Sequence, residues 1–177
     1  MQFHIVIPMY NAAAWIEENL RIIQKQTFRD FHCIIIDDLS TDDSAERVQH
    51  LIRGDERFSL LVNHNKRYSM GNVCKAMDFS QPADEDVIVL VDADDALAHE
   101  DVLQNVSDVY HRRQCWMTYG SYRGRSQAKP DKICRPYPNF VLKNQLFRNC
   151  KWRASHLKSF KYDLWPHIKQ EAFTISQ

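Results

Sequence analysis

Short apolar runs alternate with amphipathic stretches along this chain. Phe3 to Ile7, Phe31 to Ile36, Phe58 to Val62 and Val87 to Val91 are continuous enough to predict strands, and the last reads as a parallel strand buried on both faces. Pro8 predicts the end of the first strand. Between the runs the spacing predicts helices. One covers Ala12 to Gln26, with Asn11 as N-cap and Trp15, Leu20 and Ile23 on its apolar face. A second follows Ser40-Thr41-Asp42-Asp43, carries Ala45, Val48 and Leu51 and closes at Gly54, and a third covers Ser69 to Phe79. A helix from about His99 to Tyr110 leads to a further strand over Cys115 to Tyr119. This alternation predicts an α/β fold with a mostly parallel sheet flanked by helices. From Ser121 to Asn139 the pattern dissolves into a long loop, and Leu157, Phe160 and Leu164 then predict a last helix over Ala154 to Ile168.

The length of 177 residues, 44% hydrophobic, suits one globular domain with a sizeable core. No run is long enough for a signal peptide or a spanning helix. The five cysteines (33, 74, 115, 134 and 150) show no CxxC spacing, so free thiols in a cytoplasmic setting are expected. A net charge of zero conceals an asymmetry: residues 112–162 hold thirteen Lys or Arg and one acid, Asp131. That division separates a βα core over residues 1–111 from a basic segment of the same domain over 112–177. A cationic surface attracts phosphates, an anionic membrane or nucleic acid. Nucleic acid is the least favoured, because the aromatic residues there form no stacking series.

The chemistry concentrates where the strands end. In open α/β sheets ligands sit outside the carboxyl ends of the strands. Pro8-Met9-Tyr10-Asn11 follows the first strand and offers an aromatic face to a base. Asp37-Asp38 follows the second, and acids there accept hydrogen bonds from a base or a sugar. Lys66 and Arg67 follow the third, and an arginine grips a phosphate in bidentate fashion. Asp92-Ala93-Asp94-Asp95 follows the fourth. Asp92 and Asp94, a DXD pattern, share a direction on an extended segment and suit Mg²⁺ or Mn²⁺. Each of these residues alone is an ordinary turn, cap or rim residue. Their joint placement at successive strand ends is the signal. Base, ribose, diphosphate and cation are all provided for.

With only four glycines the chain has neither a P-loop nor a dinucleotide fingerprint, so a nucleotide phosphate must be neutralised by metal and cationic side chains. There is no G-x-S-x-G elbow and no H-E-x-x-H pair. A phosphoacceptor receiver domain also gathers aspartates around Mg²⁺. Here the paired acids follow the second strand rather than the first, and Tyr10 and Arg67 would have no purpose.

In sum these stretches resemble the family-2 glycosyltransferases of the GT-A fold: Val6 to Asn11, Gln26 to Phe31, Ile36 to Ser44 and Val91 to Asp95, in order and spacing. Asn65-Lys66-Arg67-Tyr68 resembles a donor-binding segment of that family, and Ser155 to Lys161 is similar to a segment of some bacterial and viral members. The resemblance implies that Pro8 and Tyr10 border the nucleobase, Asp38 hydrogen-bonds its polar edge and Arg67 lies near base or diphosphate. Asp92 would touch the ribose or a metal-bound water, Ala93 would line the donor site, and Asp94 would ligate Mn²⁺ or Mg²⁺. The implied reaction moves a hexose, typically from a UDP-sugar donor, to a glycan or lipid-linked acceptor with inversion, as in polysaccharide biosynthesis. The family's general base lies on a later segment, expected past Gln177, and Glu171 is poorly placed for the role. A catalytically silent sugar-nucleotide-binding module is the alternative.

Overall fold

The protein was described as a computed structural model, covering residues 1–124 and 134–168. Six strands and five α-helices follow in the order β1 (Phe3–Met9), α1 (Ile16–Gln24), β2 (Phe31–Asp37), α2 (Ser44–Leu51), β3 (Phe58–Val62), α3 (Tyr68–Ser80), β4 (Val87–Leu90), α4 (Val102–Arg113), β5 (Met117–Gly120), α5 (Asn139–Lys143) and β6 (Ser155–Lys161). They form one sheet of order β3-β2-β1-β4-β6-β5. The pairings among β1 to β4 are parallel, and β6 runs antiparallel to both β4 and β5.

Alternation along the strands sends side chains to two cores. Ile5, Ile7, Cys33, Ile35 and Val89 pack with Ile16, Leu20 and Ile23 of α1, Val48 of α2 and Leu103 of α4. Val6, Ile34, Ile36 and Ile88 face the other way, against Val73, Ala76 and Met77 of α3 and Trp165 of a C-terminal 3₁₀ helix. Burial on both faces is what an unbroken apolar run requires.

Four expectations need correction. Pro8 does not end β1, which runs on to Met9. Met9 accepts from Asp38 on the β2 side and Val6 accepts from Val91 on the β4 side, so the nitrogen of Pro8 faces β4. Pairing with β4 has already stopped at Val6, and the missing N–H costs no ladder bond.

Asn11 is not the cap of α1, which begins at Ile16. Asn11 sits at φ 50°, a region asparagine tolerates, and its Oδ1 accepts from the Thr41 N–H at 2.8 Å. Trp15 occupies the cap position, 41% exposed, rather than the apolar face.

The helix expected over 154–168 is strand β6 followed by the 3₁₀ helix. Leu157 packs on the α1 and α4 side and Phe160 on the α3 side, so residues read as one helical face lie on opposite faces of a sheet. Pairing decided this, because β4 and β5 both present open edges to the segment.

Part of the expected 121–139 loop, residues 125–133, lies outside the described residues, as do Glu171 and the chain from 169 on. The five cysteines are free, and burial pushes the Cys33 thiol up. No described helix is long and apolar enough to cross a membrane.

Candidate nucleotide-sugar site

Two long-range clamps set the strand ends. Buried Gln26 gives its amide N–H to His99 O at 2.7 Å and accepts the Leu103 N–H at 3.0 Å, satisfying a donor at the start of α4. Asn19 of α1 donates to Asp92 O at 3.0 Å and fixes the acidic turn from below. On the other side the polar run after β2 staples the loop after β1. Ser40 Oγ accepts from Asn11 N–H at 2.9 Å, Ser44 Oγ from Ala12 N–H at 2.8 Å and Asp42 from Ala13 N–H at 3.1 Å. Asp42 and Ser44 also share a short hydrogen bond. These residues therefore do more than cap α2.

Between the two loops lies a cleft of about 330 Å³. Pro8, Tyr10, Asp38, Asp92, Ala93 and Asp94 all line it, together with Trp15, Ser69 and Asn72. Six of the seven donor-site residues chosen from sequence thus share one wall system. Arg67 is not among the walls. Its main-chain N–H donates to Asp38, and its exposed guanidinium makes no hydrogen bond or ion pair with a described residue.

Asp37 and Asp38, adjacent in sequence, do different work. Asp37 ends β2, buried, accepting from the Ser40 N–H at 3.3 Å. Asp38 is 3% exposed, and its carboxylate accepts from Asn63 Nδ2 at 2.8 Å, Arg67 N–H at 2.8 Å and Tyr68 N–H at 2.9 Å. Lys66 Nζ lies 3.7 Å away. Burial works to raise this carboxyl, but the donors from Arg67, Asn63 and Tyr68 and the Lys66 charge hold it below the usual range. Asp38 is thus ionised and organises the loop after β3. A carboxylate offers about four acceptor positions. Three are filled, leaving room for a further donor from the cleft.

Tyr10 is 53% exposed, and Lys66 Nζ stands 3.0 Å from its ring centroid while also donating to Asp38 O at 2.9 Å. The aromatic face expected to receive a base is already in contact with a cation.

The acids after β4 divide as well. His156 Nδ1 lies 3.2 Å from Asp95 Oδ2 and 3.7 Å from Asp92 Oδ2, and ligand atoms of these three residues fall within 4.8 Å of one another. Asp94, expected with Asp92 as a metal ligand, lies outside this trio and lines both this cleft and a second groove of about 1030 Å³ running along α4 to β5. Sequence reasoning gives His156 no role, although Ser155 to Lys161, the segment that holds it, is similar to one in some family members. Its ring meets Tyr122 edge-on at 6.2 Å. It reaches the acids because β5 approaches β6 at Gly120, where a Cβ would lie 2.7 Å from His156 O. Two carboxylates and an imidazole at this separation fit a divalent cation.

A nucleotide-sized cleft at the switch point of a Rossmann-like sheet, edged by clustered carboxylates, defines the GT-A class. The family model for glycosyl transferase family 2 matches residues 4–164, and the chain belongs to that family of glycosyltransferases. It is 34% identical over 95 residues to a GalNAc(5)-diNAcBac-PP-undecaprenol β-1,3-glucosyltransferase of Campylobacter jejuni, covering 53% of this chain and 30% of that protein. It is 25% identical over 147 residues to the Escherichia coli UDP-Glc:α-D-GlcNAc-diphosphoundecaprenol β-1,3-glucosyltransferase WfgD, covering 82% and 55%. Residues 1–349 of Staphylococcus aureus TarS, solved with UDP-GlcNAc, superpose with a TM-score of 0.72 at 17% identity over 94% of this chain and 47% of that one. The Pyrobaculum calidifontis mannosyltransferase PcManGT, solved with GDP-Man and Mn²⁺, gives 0.68 at 19% identity over 94% and 46%. The chain therefore spans roughly a third to a little over half of the length of these proteins.

Proposed function

We propose that the chain carries the donor side of a metal-dependent glycosyltransferase that moves a hexose from UDP to a glycan or lipid-linked acceptor with inversion. The observation that carries this reading is the single cleft joining Tyr10, Asp38 and the acids after β4. The uracil ring displaces Lys66 from the Tyr10 ring, stacks there and gives an N–H to the remaining acceptor position of Asp38. The ribose hydroxyls meet Asp92. The diphosphate lies toward Asp94 and within reach of the exposed Arg67 guanidinium, which pairs with none of the described residues. Asp92, Asp94, Asp95 and His156 are the groups that would hold Mn²⁺ or Mg²⁺, which when bound neutralises charge developing on the departing diphosphate. Residues 1–111 supply the base, ribose and diphosphate contacts, and the described part of the segment from 112 adds His156 and faces the acceptor.

The test is a thermal-shift titration with UDP and UDP-hexoses in Mn²⁺, in Mg²⁺ and in EDTA. A ligand that binds only the folded state raises the melting temperature. The expected result is stabilisation by UDP that Mn²⁺ enlarges and that Asp94→Ala or Asp95→Ala diminishes. Equal binding in EDTA would remove the metal from the reading. Product formation, rather than donor affinity, separates a transferase from a silent donor-binding module.

A further inference from the structure

We infer that the face formed by α5 and the chain following it, residues 137–153, docks on an anionic membrane surface. Phe140, Leu142, Leu146, Phe147 and Trp152 are 61, 50, 38, 45 and 66% exposed there. Monomeric proteins rarely leave so many large apolar side chains together in water. The segment folds back on itself and brings its two ends close together. Leu146 N–H donates to Val141 O at 3.0 Å, the Tyr137 and Phe147 rings meet at 5.2 Å, and Arg153 reaches Pro136 O at 3.2 Å. Val141, fully buried, anchors the segment to the body.

The charges beside these side chains have one sign. Residues 134–162 contain no acid, and Lys143, Arg148 and Lys151 are exposed between the apolar positions. Lys158 Nζ lies 5.3 Å over the Trp152 ring. Apolar and aromatic side chains fringed by cations match the boundary between anionic headgroups and acyl chains, the former met by lysine and arginine and the latter by Phe, Leu and Trp. A free phosphate would give the apolar residues no purpose. A nucleic acid would use the aromatic rings but not Leu142 and Leu146. Trp152 is four residues before His156, a span of at most about 14 Å from the acidic cluster. An acceptor carried in the membrane plane would meet the donor site there, a consequence that rests on the function proposed above, whereas docking itself does not.

The experiment is co-sedimentation of the whole chain with phosphatidylcholine vesicles, with and without phosphatidylglycerol, alongside tryptophan emission and UDP binding on the same samples. Binding to the anionic vesicles only, reversed by high salt and accompanied by a blue shift that Trp152→Ser reduces, is the expected result. Lys143→Glu, Arg148→Glu and Lys151→Glu should each weaken binding by about fivefold or more. Phe140→Ser should weaken it without changing the salt dependence. Circular dichroism and UDP binding should stay unchanged in all of them, and if Phe140→Ser melts early the exposed Arg148→Glu decides. Equal binding to neutral and anionic vesicles, or none, overturns the inference. So does self-association abolished by the same variants, which would mean a second copy covers the face, or displacement of the vesicles by an oligonucleotide.

Discussion

The two halves of the sheet are built on opposite terms. In β1, β2 and β4 almost every side chain is buried, on both faces, and the loops at their carboxyl ends are stapled by long-range hydrogen bonds from Gln26, Asn19, Ser40 and Ser44. In β5 and β6 the side chains are mostly half-exposed, and only Ser155 and Ser159 on β6 are fully buried. There the packing turns on small polar contacts. Ser159 Oγ lies 2.9 Å from the Tyr110 hydroxyl and 2.6 Å from Thr118 Oγ1, and burial pushes the Tyr110 phenol up to about 12. The first half thus holds its cleft by apolar burial. The second holds His156 by backbone fit and a hydroxyl trio. A donor site needs rigid walls, whereas a segment that meets an acceptor or a surface keeps apolar side chains outside.

The largest break of this contrast is expected at Asp38. Asp38→Ala leaves three donors of the β3 loop unpaired and should cost about 3 kcal/mol in urea unfolding, together with UDP binding. Asp38→Asn should cost less. A loss under about 1 kcal/mol would mean that water replaces the carboxylate and that the loop organises itself. Next is Gly120→Ala, whose Cβ collides with the His156 backbone. It should destabilise by about 2 kcal/mol and weaken the metal-dependent part of UDP stabilisation while leaving the metal-free part intact. An unchanged metal response would separate His156 from the cation.

Ser159→Ala should cost about 1 kcal/mol by removing one partner each from the Tyr110 and Thr118 hydroxyls, and UDP affinity should not change. A coupled loss of UDP binding would show that the two halves are not independent. The smallest effect is at the amino end of the sheet. Burial lowers the pKa of His4 below 6.5 despite its contact with Asp86 at 3.3 Å, and burial lowers His32 as well. In the window beneath that value the unfolded chain takes up protons that the folded chain refuses. Stability is full above pH 6.5 and declines as pH falls through the window. His4→Gln should flatten this slope in melting curves, and an unaltered slope would assign it elsewhere.

The sequence announced the cleft because its groups sit at the ends of strands whose apolar runs cannot be mistaken. Pro8, Tyr10, Asp38, Asp92 and Asp94 lie at the ends of those runs, so finding the strands found residues that share one cleft. What was hidden lies where one residue serves another far along the chain. Lys66 resting on Tyr10, and Gln26 capping α4 across 77 positions, leave no local pattern. His156 was invisible as a partner of Asp95 because the segment around it has helical spacing, and only pairing with β4 and β5 turns it toward the acids.

By itself the sequence determined the α/β class, the four parallel strands and the family, since these rest on local periodicity and on motifs within single loops. Tertiary structure decided that Ser155–Lys161 is a strand, that Asp92 and Asp95 rather than Asp94 meet His156, and that apolar side chains of α5 stay in water. Each of those outcomes depends on which edge or face is left open once the parallel core has formed. Short segments of mixed pattern carry too little free energy of their own to choose.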